Sequence, residues 1–197
     1  EFDAVGVPFK QRGRIFERNL DILMRLWTEE RATVKVDEFN LGEAVMVPRA
    51  VQRPRPPILV GGYVDAVLKR AGTVGDGWLT YFYTPESFTK GWEKVEAFAR
   101  EAGRDPRTLS STNQLAVYVG SSRAQTAEDM RHWLSTEWDT AAWSESTIEH
   151  AIHGSAEECV AQLKAHVKTG VDRIILIPYR YQPEQVERIA KEVLPRL

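Results

Sequence analysis

Residues 55–78 read RPPILVGGYVDAVLKRAGTVGDGW and decide the fold of this chain. The proline pair favours an extended entry, and the apolar run at 58–60 is typical of a strand that is buried on both faces. The glycine pair at 61–62 then turns the chain into a helix, and a second strand begins at Trp78. This order predicts one strand–helix–strand step of a parallel sheet with helical crossovers.

The helix of this unit begins directly after the glycine pair. Its apolar stripe is formed by Val64, Val67, Leu68 and Ala71, and we expect Gly72 and Gly75 to end it with positive φ angles. A glycine pair in this place exposes backbone N–H groups with the positive end of a helix dipole behind them, which is a natural seat for phosphate. The alternative is a tight turn that binds no ligand.

Two more predicted strands extend this unit to four parallel strands, each followed by a helix. The segment between 137 and 154 has no clear pattern. Ser155 with Glu158 three residues later predicts a capping box. The other predicted elements are a helix at 8–27, a hairpin at 33–47, strands at 78–82, 113–119 and 171–179, and helices at 85–103, 126–136, 155–170 and 183–193.

Composition and charge exclude two classes of partner. The 197 residues carry a formal net charge of −2 and no long basic run, which argues against nucleic-acid binding. No apolar run approaches the roughly 20 residues that cross a bilayer, so we expect no membrane partner. The lone Cys159 excludes an internal disulfide and predicts a cytoplasmic protein. Its helical context favours core packing over a nucleophilic role.

Metal and covalent chemistry have little support in the sequence. His150 and His153 could share a helix face as metal ligands, but no Asp, Glu or Cys at ligand spacing completes the set. We therefore predict no metal site. The chain has no nucleophile elbow and no P-loop, and the glycines of 72–77 follow a helix instead of opening one. The catalytic groups stay unassigned.

Ligands of parallel sheets bind at the carboxyl ends of the strands. These ends are predicted at 61–65, 80–83, 120–123 and 178–181. A phosphate-bearing aromatic cofactor would use both the glycines, for its phosphate, and Tyr81, Phe82 or Tyr83, as apolar walls. The alternative is that Tyr81 and Tyr83 simply point to alternate faces of the strand where it ends and contact no ligand.

Several motifs follow one another along almost the whole chain, apart from 137–152. They are GVPFKQRGRIFERNLDILMRLW at 6–27, PPILVGG at 56–62, KRAGTVGDGWL at 69–79, TPESF at 84–88, REAGRDP at 100–106 and HGSAEECVAQLKAHVKTGVDRIILIP at 153–178. Together they closely resemble the C-terminal half of the bacterial-luciferase-like family of flavin-dependent oxidoreductases and monooxygenases.

The resemblance implies a TIM barrel that binds FMN or the deazaflavin coenzyme F-420 at its C-terminal face. Such proteins perform hydride transfer or oxygen insertion on a small organic substrate. Residues 1–197 would form a single luciferase-like domain that holds only the C-terminal half of the (β/α)8 barrel, while the usual catalytic residues belong to the N-terminal half. The cofactor-binding residues would be Gly61, Gly62, Tyr63, Val64, Thr80 and Tyr81.

Four strands cannot close a barrel of eight. We therefore expect a longer native polypeptide, a homo-oligomer, or association with the missing half-barrel, because the barrel-facing side of Ile58, Leu79 and Ile175 would otherwise face water. Relatives often carry Ser or Thr after the glycine pair, where this chain has Tyr63-Val64-Asp65. The rival reading is a non-catalytic half-barrel remnant that self-associates or binds a partner.

One substitution follows from the proposed phosphate seat. Replacing Gly62 with valine should weaken cofactor binding far more than it destabilises the fold, because a β-branched side chain would block close approach of the phosphate.

Overall fold

The computed structural model describes residues 2–36, 39–138 and 149–197. The chain divides into two compact units, Glu1–Pro57 and Ile58–Leu197. Within the described ranges, no helix combines the length and the apolar character that a membrane crossing requires.

The first unit contains the predicted helix and hairpin. Helix α1 (Arg12–Thr28) follows two short 3-10 turns, and strands β1 (Ala32–Val36) and β2 (Phe39–Ala44) pair antiparallel. Arg25 ties the end of α1 to the hairpin, because its guanidinium donates to Glu29 at 2.7 Å and to the Thr33 carbonyl at 2.7 Å. Both predicted elements of this unit are confirmed.

The second unit is built on a parallel sheet. Its described strands are β3 (Leu59–Gly61), β4 (Gly77–Tyr81), β5 (Ser110–Val119), β6 (Ile152–Gly154) and β7 (Arg173–Pro178). The order is β3-β4-β5-β6, and β7 also pairs with β5. Val117 pairs with both Ile152 and Pro178, so β6 and β7 lie on opposite sides of β5. The parallel prediction is confirmed, but the expected four strands become five.

Helices pack mainly on one face of this sheet. They are α2 (Asp65–Thr73), α3 (Pro85–Glu101), α4 (Arg123–Glu137), α5 (Ala156–Val167) and α6 (Pro183–Arg188), which continues as a π-helical turn over Ile189–Val193. Trp78 packs under α2 and α3, while Leu115 packs under α5 and the π turn. Helix α4 packs instead against Ala116 and Tyr179, at the carboxyl ends of β5 and β7.

Alternation along the strands leaves most of the opposite face open, and α4 covers only its part around Ala116 and Ile177. Val60 and Trp78 belong to the helix-covered core, so Leu79 and Ile175 lie on the open face, as expected. Ile58 does not lie on the open face, because residues two apart in an extended chain point to the same side and Val60 faces the helices. Among the described strands β3 pairs only with β4 and β7 only with β5, so the sheet is open and no barrel closes.

Gly72 in α2 and Gly75 just after it allow close packing and do not provide the predicted positive φ angles. Neither Gly72 nor Gly75 has a positive φ. A Cβ at Gly72 would lie 2.5 Å from the Val95 carbonyl oxygen of α3, and one at Gly75 would lie 2.9 Å from a Val60 methyl group. The glycines are required by close packing of α2 on α3 and on β3, so the expected positive φ was wrong.

The predicted capping box at the start of α5 is confirmed. Ser155 accepts from the Glu158 N–H, and the Glu158 carboxylate accepts from the Ser155 N–H at 2.7 Å. The same carboxylate also accepts from the Arg123 N–H at 2.9 Å, at the first turn of α4. One side chain therefore caps the starts of two helices, and these hydrogen bonds lower the pKa of Glu158.

Candidate functional site

The turns that follow the strands emerge at one edge of the sheet. Because β3, β4, β5 and β7 run parallel, Gly61, Tyr81 and Tyr179 lie on the same rim, as the sequence predicts. Backbone strain concentrates there: Phe82 has φ 55°, and Arg180 and Tyr181 have φ 47° and 53°. Residues held in the left-handed region are common at ligand sites.

The two glycines after β3 have different roles. Gly62 has φ 134°, its N–H donates to the Leu79 carbonyl, and its own carbonyl accepts from the Trp78 indole N–H at 2.7 Å. Gly61 is exposed, and within the part of the chain that the structure describes an added Cβ would meet only the Leu79 carbonyl oxygen, at 3.6 Å. Gly62 therefore fixes the turn, whereas Gly61 leaves the open face accessible.

The expected result for Gly62→Val changes with this geometry. A side chain at Gly62 would adopt a strained φ, and its Cβ would lie 3.1 Å from a Val67 methyl group. Such strain costs on the order of 1–3 kcal/mol. The substitution would therefore destabilise the fold as well, and Gly61 becomes the better probe of ligand approach.

The start of α2 presents unused hydrogen-bond donors. Val64 is the N-cap residue and is exposed, so it does not belong to the apolar stripe that we expected. Among the described residues, the N–H groups of Tyr63 and Val64 donate to no protein acceptor. The Asp65 carboxylate binds the Lys94 ammonium at 2.8 Å, which offsets part of the negative charge near the helix terminus.

Tyr63 and Tyr81 form a hydrogen-bonded pair beside these donors. Their hydroxyl oxygens lie 2.7 Å apart, and the rings meet edge to face at 5.6 Å between centroids. Burial, followed by the hydrogen bond with Tyr63, raises the pKa of Tyr81 to about 12. Tyr81 is therefore a neutral phenol near neutral pH.

The remaining predicted residues lie away from the open face. Thr80 is completely buried, on the face that Trp78 shares. Phe82 is buried under α4 and Trp138, in the same cluster as Ala116 and Ile177, so it is covered and not exposed. Tyr83 packs edge to face on Trp78. Of the three aromatic residues considered as walls, only Tyr81 lies on the open face. Gly61, Gly62, Tyr63, Val64 and Tyr81 are brought together, whereas Thr80 lies on the opposite, helix-covered face.

A second group of aromatic residues lies at this rim and was not predicted from the sequence. Tyr118 and Tyr179 stack at 4.1 Å between ring centroids, and Trp133 meets Tyr179 edge to face at 5.3 Å. Arg180 forms an ion pair with Glu137 at 3.5 Å. The apolar spacing of Met130, Trp133 and Leu134 on α4 was the available signal, but it does not show which surface the helix covers.

The two histidines considered as metal ligands bind different partners. His153 Nδ1 lies 2.9 Å from the Thr126 hydroxyl, and His150 Nδ1 is hydrogen-bonded to the Phe82 carbonyl. Within the described ranges, no group of three or more His, Cys, Asp or Glu side chains could hold a metal ion. The buried thiol of Cys159 packs in the core, and burial raises its pKa to about 12.

Known proteins are similar to this chain in sequence. An F420-dependent glucose-6-phosphate dehydrogenase from Kineococcus radiotolerans is 30% identical over 98% of this chain and 64% of its own length. The FMNH(2)-dependent dimethylsulfone monooxygenase of Pseudomonas putida is 20% identical over 99% of this chain and 62% of its own length. The chain therefore spans less than two thirds of these relatives.

A solved structure supports the fold. The chain is similar to an F420-dependent secondary alcohol dehydrogenase in complex with an F420-acetone adduct, with a TM-score of 0.80 and 20% identity, over 100% of this chain and 66% of that one. The family model for luciferase-like monooxygenases matches residues 1–173. By its parallel α/β architecture and by this match, the chain belongs to the luciferase-like monooxygenase family.

Proposed function

We propose that this chain holds the phosphate end of an FMN or coenzyme F-420 site, in an oxidoreductase that transfers hydride to, or inserts oxygen into, a small organic substrate. The observation that carries the proposal is the uncapped start of α2 beside exposed Gly61. FMN and F-420 both carry phosphate, so this feature serves either of them.

The phosphate seat has three components. The N–H groups of Tyr63 and Val64 are available as donors, the dipole of α2 adds positive potential, and Gly61 leaves space for close approach. These groups replace the hydroxyl that relatives often carry after the glycine pair. The ion pair of Asp65 with Lys94 reduces the repulsion that the carboxylate would exert on an anion.

The tyrosine pair supplies a polar wall to the same site. The raised pKa keeps Tyr81 protonated, so its hydroxyl can donate to the cofactor or accept from it, while Tyr63 fixes its orientation at 2.7 Å. The cofactor supplies the redox chemistry, and the chain binds, orients and shields it. Gly62 contributes through the turn that places Tyr63, and Thr80 through packing behind the rim.

The enzyme reading is favoured over the non-catalytic remnant, because the named relatives are a monooxygenase and a dehydrogenase. The proposal also holds that the N-terminal half of a barrel, or a second copy of the chain, completes the sheet. The open face, where Ile175 is 36% exposed, gives such a partner an apolar surface. The lone Cys159 supports a cytoplasmic location as a further proposal.

Comparing ligands with and without phosphate tests the seat. FMN and riboflavin are titrated into the chain, and F-420 in parallel, with binding followed by fluorescence. Two backbone hydrogen bonds to a charged phosphate, at roughly 1.5–3 kcal/mol each, should make FMN bind at least about a hundredfold more tightly than riboflavin. Equal affinity for FMN and riboflavin would show that the glycine pair is only a turn.

A further inference from the structure

Three of the four histidines of the chain line two adjoining pockets. One pocket has a volume of about 160 Å³ and the other about 400 Å³, and both are lined by Arg123 and Glu149. We call this surface the histidine groove, which comprises Arg123, Arg131, Glu149, His150, His153 and His166. None of these residues belongs to the proposed cofactor site.

The arginines of the groove lie on one side of α4. Ala124 and Ala127 lie between Arg123 and Arg131 and line the larger pocket with them, so short side chains form its floor. Among the described residues, neither guanidinium forms an ion pair with a carboxylate. The Glu149 carboxylate and the Glu158 carboxylate, which accepts from the Arg123 N–H, balance the charge of the two guanidinium groups. The groove therefore offers guanidinium donors for an anion without an excess of positive charge.

Two histidines of the groove, His153 and His166, are buried, and His150 is half-buried. Burial lowers the pKa of His153, and the nearby charges of Arg123 and Arg131 lower it further, against the opposing effect of Glu158 on α5. Burial also lowers the pKa of His166 to about 4, with His150 contributing to the decrease. An anion in the groove would offset the arginine charges and favour the protonated imidazoles.

We propose that the histidine groove binds a small phosphate-bearing molecule. Guanidinium groups match phosphate oxygens with paired, charge-assisted hydrogen bonds. The pocket of about 400 Å³ falls within the range of small-molecule sites. The groove reaches Thr84 and Pro85, two and three residues after the strained Phe82, and His150 binds the Phe82 carbonyl.

Inorganic phosphate titrated into the full chain tests the proposal, with the histidine ring NMR signals as readout. We expect saturable shifts of the His153 and His166 rings and a rise in the pKa of His153. Arg123→Gln and Arg131→Gln should each lower phosphate affinity at least tenfold, the value for a lost charged hydrogen bond of roughly 1.5 kcal/mol or more. Circular dichroism confirms that the variants fold.

Matched controls separate this site from charge effects and from the cofactor seat. Arg107→Gln removes the same charge from an exposed side chain paired with Asp105, and it should leave the affinity unchanged. Gly61→Val should leave the histidine shifts unchanged, whatever it does to FMN. Absence of saturable histidine shifts, an equal loss in Arg107→Gln, or succinate binding as tightly as phosphate would each overturn the proposal.

Discussion

Gly61→Val separates ligand approach from fold stability more sharply than any other substitution at the rim. Position 61 lies at the end of β3 with a φ that other residues adopt. Among the described residues, the new Cβ would have only one neighbour within 4 Å, the Leu79 carbonyl oxygen at 3.6 Å. Valine favours strands over glycine, by up to about 1 kcal/mol. We therefore expect the free energy of unfolding to stay within about 1 kcal/mol of wild type.

Cofactor binding should respond differently. The valine methyl groups would project over the open face and keep the phosphate from the N–H groups of Tyr63 and Val64. Loss of both hydrogen bonds, at roughly 1.5–3 kcal/mol each, corresponds to a hundredfold or greater loss of affinity. Fluorescence titration with FMN and F-420 measures it, and urea unfolding measures stability.

Gly42→Ala is the matched control, since a Cβ at Gly42 meets nothing within 4 Å and Gly42 lies in the first unit. It should change neither quantity. Wild-type affinity in Gly61→Val would refute the phosphate seat, and a loss of stability large enough to account for the lost binding would refute the separation of the two effects.

Three further predictions concern packing and protonation. Gly72→Ala should cost about 1–3 kcal/mol in urea unfolding, because its Cβ would lie 2.5 Å from the Val95 carbonyl oxygen; a neutral result would refute the close packing of α2 on α3. Since the pKa of Tyr81 is raised to about 12, the stability that the neutral Tyr81 phenol contributes should be lost as pH rises from 10 to 12. Tyr63→Phe removes the hydrogen bond to Tyr81, so the tyrosinate absorbance of Tyr81 should then appear at lower pH. Because the pKa of Glu158 is lowered, the stability that its carboxylate contributes should be lost as pH falls through the pKa of the folded state. Glu158→Gln should weaken this loss of stability in acid. An unchanged dependence of stability on pH would count against the capping of two helices by Glu158.

Local patterns were sufficient to predict most of the second unit. The strand at 58–60, the glycine turn and the capping box at Ser155 each depend on residues close together in sequence, and all are present. The parallel arrangement followed from the alternation of strands and helices. Glycines were more difficult, because the requirement at Gly72 is set by Val95 on another helix and not by its own backbone.

Features that depend on register were not predictable. Strand β6 has only three residues and pairs with β5 because β5 continues past the end of β4. Tyr63 and Tyr81 are 18 residues apart in sequence and meet only because Gly61 pairs with Leu79. The burial of Thr80 likewise depends on which face Trp78 occupies.

The central place of β5 predicts how the second unit opens in solution. Thr112, Asn113 and Gln114 pair with β4 on one side and with β7 on the other, and Val117 pairs with β6 and β7. Amide hydrogens of β5 should therefore exchange with solvent only on global unfolding. Strand β3 has three residues and one described neighbour, so its amides should exchange through smaller openings. The turn at Gly61 can thus rearrange around a ligand while the centre of the sheet stays closed.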